Sequence, residues 1–243
     1  MIDGAPYTAA SRAALATIRP QWLGANGKQL AEASWRWYKQ WGSDIVQQAA
    51  ISSWRNLNTV MQKDWWLVNP ITMLVKPDIE DRATTIIGTT VTTAKGQTIH
   101  SDAVLIAVGA HDKTLYPNFK PMFGCTLINS EIKMNEPPLR IHHLRPFHSL
   151  SVAAYPDKIV LGSSIHRDKT KAEEEVWKML HIAEQLAIVP KSNKWNLIVN
   201  VRATSPEPTL PELGNTTTSI GSLARSGYGI APQAIEKWIK SLV

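Results

Sequence analysis

The chain has 243 residues, 44% hydrophobic and 19% charged, a balance that supports a buried core and excludes a disordered chain. Lysine and arginine outnumber aspartate and glutamate by 26 to 20, a formal charge of +6, yet no Lys/Arg run exceeds two residues, so nucleic acid is not an expected partner. The single cysteine, Cys125, rules out an intrachain disulfide and a cysteine-based zinc cluster, and reads as a small buried hydrophobe.

The opening residues lack a basic stretch followed by an apolar core, and no apolar run reaches the roughly 18 to 20 residues that span a bilayer. A cytoplasmic protein without a membrane span is therefore expected. Seven of the ten tryptophans lie between Trp22 and Trp66. From Lys28 to Gln48, Leu30, Ala33, Trp37, Trp41 and Ile45 recur at steps of three and four, which predicts an amphipathic helix. Its tryptophans are most simply packing residues, since a base-stacking platform needs exposed aromatics interleaved with basic residues.

"DWWLVNPITMLVKP" (Asp64 to Pro77) reads as an irregular entry into a short strand. The β-branched runs that follow, broken by "AKGQ", predict a hairpin from Thr84 to Ile99. A buried strand is expected at Ala103 to Val108, closed by Gly109 and Ala110 where a side chain would obstruct a neighbour. Short strands are expected at Thr126 to Asn129 and His142 to Leu150, then a hairpin, "SVAAYPDKIVLGSSIH", turning at "PDK".

Lys169 to Ala187 predicts a second helix with Ala172, Val176, Leu180, Ala183 and Leu186 on one face, and with Glu173 to Glu175 in its first turns. A third is expected from Pro232, at its first position, to about Leu242, with Ile235, Trp238, Ile239 and Leu242 apolar. The result is an α/β or α+β fold with a mixed sheet. His142 and His143 are adjacent and on a strand would face opposite ways, so they cannot chelate one metal; no metal-ligand spacing occurs and no metal is expected. Ser163 and Ser164 lack a nucleophile-elbow motif.

Three stretches belong together: "GQTIHSDAVLIAVGAH", "VRATSPEPTLPELG" and "ARSGYGIAPQAIEKW". In this order they resemble the C-terminal two-thirds of the FAD-dependent amino-acid oxidase family, which includes glycine oxidase and D-amino-acid oxidase. The resemblance implies an incomplete FAD-dependent oxidoreductase fold whose C-terminal helix packs on the flavin-binding side. Gly109 and Ala110 would pass beside the flavin, Arg202 would hold the substrate carboxylate, and Gly227, Tyr228, Gly229 and Ile230 would face the isoalloxazine. Arg225 would be a second anion contact or a brace.

The chemistry agrees with these roles. A helix N-terminus suits the negative charge of reduced flavin, and a guanidinium suits a carboxylate. The activity implied is oxidation of an amino acid or secondary amine by hydride transfer to flavin.

The family's strand, GxGxxG turn and helix do not occur in this chain. The expectation is therefore one part of a split or reduced enzyme, with a second protein chain supplying the nucleotide-binding unit. The alternative is a non-catalytic binding or assembly subunit that has lost FAD. A basic, aromatic nucleic-acid-binding module is a third reading. The expected organisation is a single oxidase-like unit over 1–243. Within it lie a Trp-rich helical segment (1–63), a remnant of the FAD-binding domain (64–125 and 196–243) and a substrate-domain-like segment (126–195).

Overall fold

A computed structural model describes residues 17–20, 23–40, 46–52, 59–68, 78–108, 122–133, 139–144, 148–155, 157–202, 210–221 and 227–243. These form a mixed α/β structure of three helices and four small sheets, none of them a closed barrel among the described residues.

The first helix, α1 (Gly27–Lys39), ends nine residues before the predicted Gln48. The segment beyond it includes β2 (Val46–Ser52), which pairs antiparallel with β3 (Thr59–Val68). The expected irregular entry at Asp64 is thus the second half of a ten-residue strand, and of the expected helical stretch 1–63 only α1 is helical among the described residues. Trp41 and Ile45, at the end of the predicted apolar stripe, lie outside the described residues, whereas residues 46–48 belong to β2. The short strand β1 (Thr17–Ile18) completes this sheet, in the order β1, β3, β2.

Glycine is required at position 27. A Cβ there would lie 2.0 Å from the Pro20 carbonyl oxygen, far inside van der Waals contact. The turn before α1 closes through Gly27 N–H donating to Gly24 O (3.0 Å).

The expected hairpin after Thr84 is a three-stranded meander: β4 (Ala83–Ile87), β5 (Thr90–Thr93) and β6 (Thr98–His100). Gly88 and Thr89 make its first turn and "AKGQ" its second. The buried Asp81 staples it, accepting from Arg82 N–H (2.8 Å) and Lys95 N–H (2.9 Å). A hydrogen bond from Thr93, then that from Lys95, holds the Asp81 carboxyl below the usual aspartate range. Next, β7 (Val104–Ile106) pairs parallel with β13 (Thr217–Ser219).

The largest sheet is antiparallel, in the order β12 (Asn196–Arg202), β8 (Met122–Asn129), β11 (Ile159–His166), β10 (His148–Ala154), β9 (Leu139–Leu144). The stretch expected as one strand from His142 to Leu150 is divided between β9 and β10, and the predicted "PDK" turn joins β10 to β11, with Tyr155 N–H donating to Lys158 O (2.8 Å). Boundaries expected at 125/126 and 195/196 fall inside β8 and at the start of β12, two strands that hydrogen-bond to each other.

Helix α2 (Lys169–Gln185) covers one face of this sheet. Ala172, Val176, Met179, Leu180 and Ala183 meet Cys125, Leu127, Leu150, Val152, Ile159 and Leu161, all buried. Burial of such side chains contributes about 1.5–3 kcal/mol each, and they form the main core. Asp168 caps α2 by accepting from Thr170 N–H (2.9 Å) and Lys171 N–H (3.3 Å). The helix opens at Lys169, as expected, which puts Glu173 to Glu175 in its second turn; Lys169 pairs with Glu173 at 3.6 Å.

The terminal helix α3 (Gly227–Lys240) opens five residues earlier than predicted, so Pro232 lies inside it rather than at its start. It packs mainly on α1, and Ile230 joins a second core of Ile18, Leu23, Ala31, Tyr38 and Val68. Trp35 of α1 stacks on Trp66 of β3 at 5.7 Å. The two cores meet where Tyr155 Oη donates to Val68 O (3.4 Å). Beside it Lys158 is buried over the Tyr155 ring (5.1 Å), and desolvation pulls its pKa below that of an ordinary lysine.

Candidate functional site

The parallel pair β7 and β13 arranges one end of the candidate site. Ser219 stands opposite Ile106, so the carboxyl ends of the two strands lie side by side. The chain leaving β7 runs through Ala107 and Val108 to Gly109 and Ala110; the chain leaving β13 reaches α3 at Gly227. Ligands in α/β proteins gather outside the carboxyl ends of parallel strands, where helices begin. Gly109, Ala110 and Arg225 lie outside the described residues.

Gly227, Tyr228, Gly229 and Ile230 form the first turn of α3. Their N–H groups have no acceptor within the helix, because the first four donors never do, and the helix dipole adds about half a positive charge there. The Ile230 side chain packs into the core against α1 and the β1–β3 sheet, so what it can offer outward is its N–H.

Arg202 is the last residue of β12, in register with Met122. The neighbouring row of the sheet joins Val201 to Phe123 and Phe123 to His166, the last residue of β11. His148 starts β10 opposite Leu144, the last residue of β9. One end of the sheet thus gathers backbone positions 144, 148, 166 and 202. His166 is fixed there by accepting at Nδ1 from Asp168 N–H (2.9 Å); in the neutral ring this leaves the proton on Nε2.

Strand alternation separates the two faces of this sheet. Positions 125, 127, 150, 152, 197 and 199 serve the α2 core, so Ser151, Thr126 and Asn200 belong to the other face, and so does position 202. All three are buried, and the Thr126 hydroxyl has no hydrogen-bond partner among the described residues. Between Ser151 and Thr126 the row passes through Gly162, where a Cβ would stand 2.9 Å from Thr126 Cγ2. Sequence reasoning missed this polar face. The signal available was one polar residue placed at core depth in each of "CTLI", "LSVA" and "VNV".

The family resemblance of the sequence implies FAD, and the donor set can be tested against it. Glycines 227 and 229 and the free donors of α3 suit the flavin end. The thirteen glycines contain no GxGxxG, so the chain shows no dinucleotide turn for the adenosine end.

No protein-family model matches the sequence, and no curated protein matches it significantly. Solved structures do match in three dimensions. Iminodiacetate oxidase from Chelativorans sp. BNC1 aligns at TM-score 0.70 and 12% identity, over 99% of this chain and 88% of that one. Glycine oxidase from Bacillus cereus ATCC 14579 aligns at TM-score 0.66 and 12% identity, over 97% and 87%. An FAD-dependent oxidoreductase from Pseudomonas aeruginosa aligns at TM-score 0.61 and 12% identity, over 94% and 78%. The chain therefore has the fold of the FAD-dependent oxidoreductases. Within that class, the first two likenesses are to oxidases named for glycine and for iminodiacetate.

Proposed function

We propose that this chain is part of an FAD-dependent oxidoreductase that oxidises an amino acid or a secondary amine. The observation that carries the reading is the shared carboxyl end of β7 and β13, from which both the Gly109–Ala110 segment and the glycine-bearing start of α3 issue. A bound flavin supplies the acceptor for the hydride that leaves the substrate α-carbon. The first-turn N–H groups of α3 would hold the anionic edge of such a group and offset its negative charge without reorganising. Arg202, at the end of β12, holds the substrate carboxylate through two parallel N–H donors and so fixes which hydrogen faces the acceptor.

A panel of amino acids and N-substituted amino acids tests this by bleaching of the flavin absorbance. Arg202→Ala is expected to lower kcat/KM by about 10- to 100-fold, the value of a hydrogen bond to a charged group; an unchanged value refutes the assignment. The absence of a GxGxxG turn favours a second reading, a non-catalytic binding or assembly subunit. A preparation that stays colourless with FAD, alone and with any co-purifying chain, decides for that reading.

A further inference from the structure

Pro232 is the sixth residue of α3 and is buried. Lacking an N–H, it cannot donate to the carbonyl of Tyr228, and its ring crowds that turn. The first turn of α3 is therefore weakly coupled to the rest of the helix, and something outside the helix has to set its direction. That partner is α1, which grips α3 on both sides of the proline. Ile230, two residues before it, packs into the cluster containing Ala31 and Tyr38. Gln233, one residue after it, accepts from Ser34 Oγ at 3.0 Å.

Ser34 is completely buried, at a position where alanine would suffice for packing, as it does at Ala31 one turn earlier. A polar pair between helices favours one register, because a slip takes from the completely buried Ser34 its hydrogen bond to Gln233. The far end of α3 is held separately: Trp238 Nε1 donates to Asn215 O (2.8 Å) and Gly214 N–H to Ser241 Oγ (2.8 Å).

We infer that Ser34 and Gln233 form a register lock through which α1 aims the first turn of α3, making Ser34 a positioning residue for the group held there. That the group is flavin rests on the function proposed above; the lock itself does not.

The test compares Ser34→Ala with Ser34→Thr, which keeps the hydroxyl, and with Ser241→Ala, which removes the hydrogen bonds of the Ser241 hydroxyl to Gly214 N–H and Trp238 O at the other end of α3. Amide hydrogen exchange in protein without added FAD is expected to quicken at Gln233 and Ala234 in Ser34→Ala and to stay as in the parent in Ser241→Ala. With FAD added, Ser34→Ala is expected to weaken binding about two- to tenfold, the value of one hydrogen bond, and to shift the flavin midpoint potential; Ser34→Thr restores both. Equal effects of Ser34→Ala and Ser241→Ala, or none from either, overturn the lock. If the parent protein takes up no FAD, alone or with any co-purifying chain, the oxidoreductase reading fails, and the exchange comparison still decides the lock.

Discussion

At the scale of single residues, several positions are decided by what stands a few ångströms away. Gly27 has the Pro20 carbonyl where a side chain would go, and backbone cannot swing aside as a flexible side chain can. Gly27→Ala is expected to destabilise the protein by about 1–3 kcal/mol, the usual cost of overpacking, read as a fall in the urea midpoint at unchanged slope. Cys125 follows from composition alone: a lone cysteine in an apolar strand is buried, and it is. Thr126 and Asn200 were not legible in the same way. A polar residue in an apolar run marks a break in the pattern, but its depth follows only once the partner strands β11 and β12 are known.

At the scale of elements, caps and staples outweigh propensity. Helix α2 begins where Asp168 accepts two backbone donors, and Asp168→Ala is expected to cost about 1 kcal/mol, measured by thermal unfolding followed by circular dichroism. The β4–β6 meander hangs on Asp81, whose folded pKa is held below the ordinary aspartate value of 3.8 by Thr93 and the Lys95 amide. A depressed carboxyl adds stability that is full above the unfolded pKa and is lost as pH falls through the folded one. Asp81→Asn is therefore expected to melt lower than the parent at neutral pH, with the gap closing below pH 3.8; melting curves at several pH values check this. Helix α3 shows the limit of local signals. Pro232 favoured a helix start at itself, whereas packing on α1 carries the helix back to Gly227.

At the scale of the whole molecule, two bodies meet. One is the five-stranded sheet with α2; the other joins α1, α3 and the β1–β3–β2 sheet. The Tyr155 to Val68 hydrogen bond ties them, and β2 lies against β9. A ligand held at the start of α3 draws on the second body directly. If FAD binds there, saturating it about a hundredfold above its Kd is expected to stabilise the fold by about 2.7 kcal/mol, seen by calorimetry as a rise in melting temperature. No rise at any FAD concentration counts against the flavin reading for this chain.

Periodicity and turn chemistry, which act over a few residues, sufficed for α2, for the turn at "PDK" and for the break at "AKGQ". The order of motifs also pointed to the flavoprotein oxidoreductase fold, which the structural likenesses share. What depended on tertiary structure was set by distant partners. The helical spacing did not extend to Gln48, because β2 pairs along β3. The parallel pairing of β7 with β13 joins residues more than a hundred positions apart. Burial of Ser151, Thr126 and Asn200 on one sheet face follows from strand order. No local pattern encodes these, because their free energy comes from hydrogen bonds and buried surface that exist only once the chain has closed on itself.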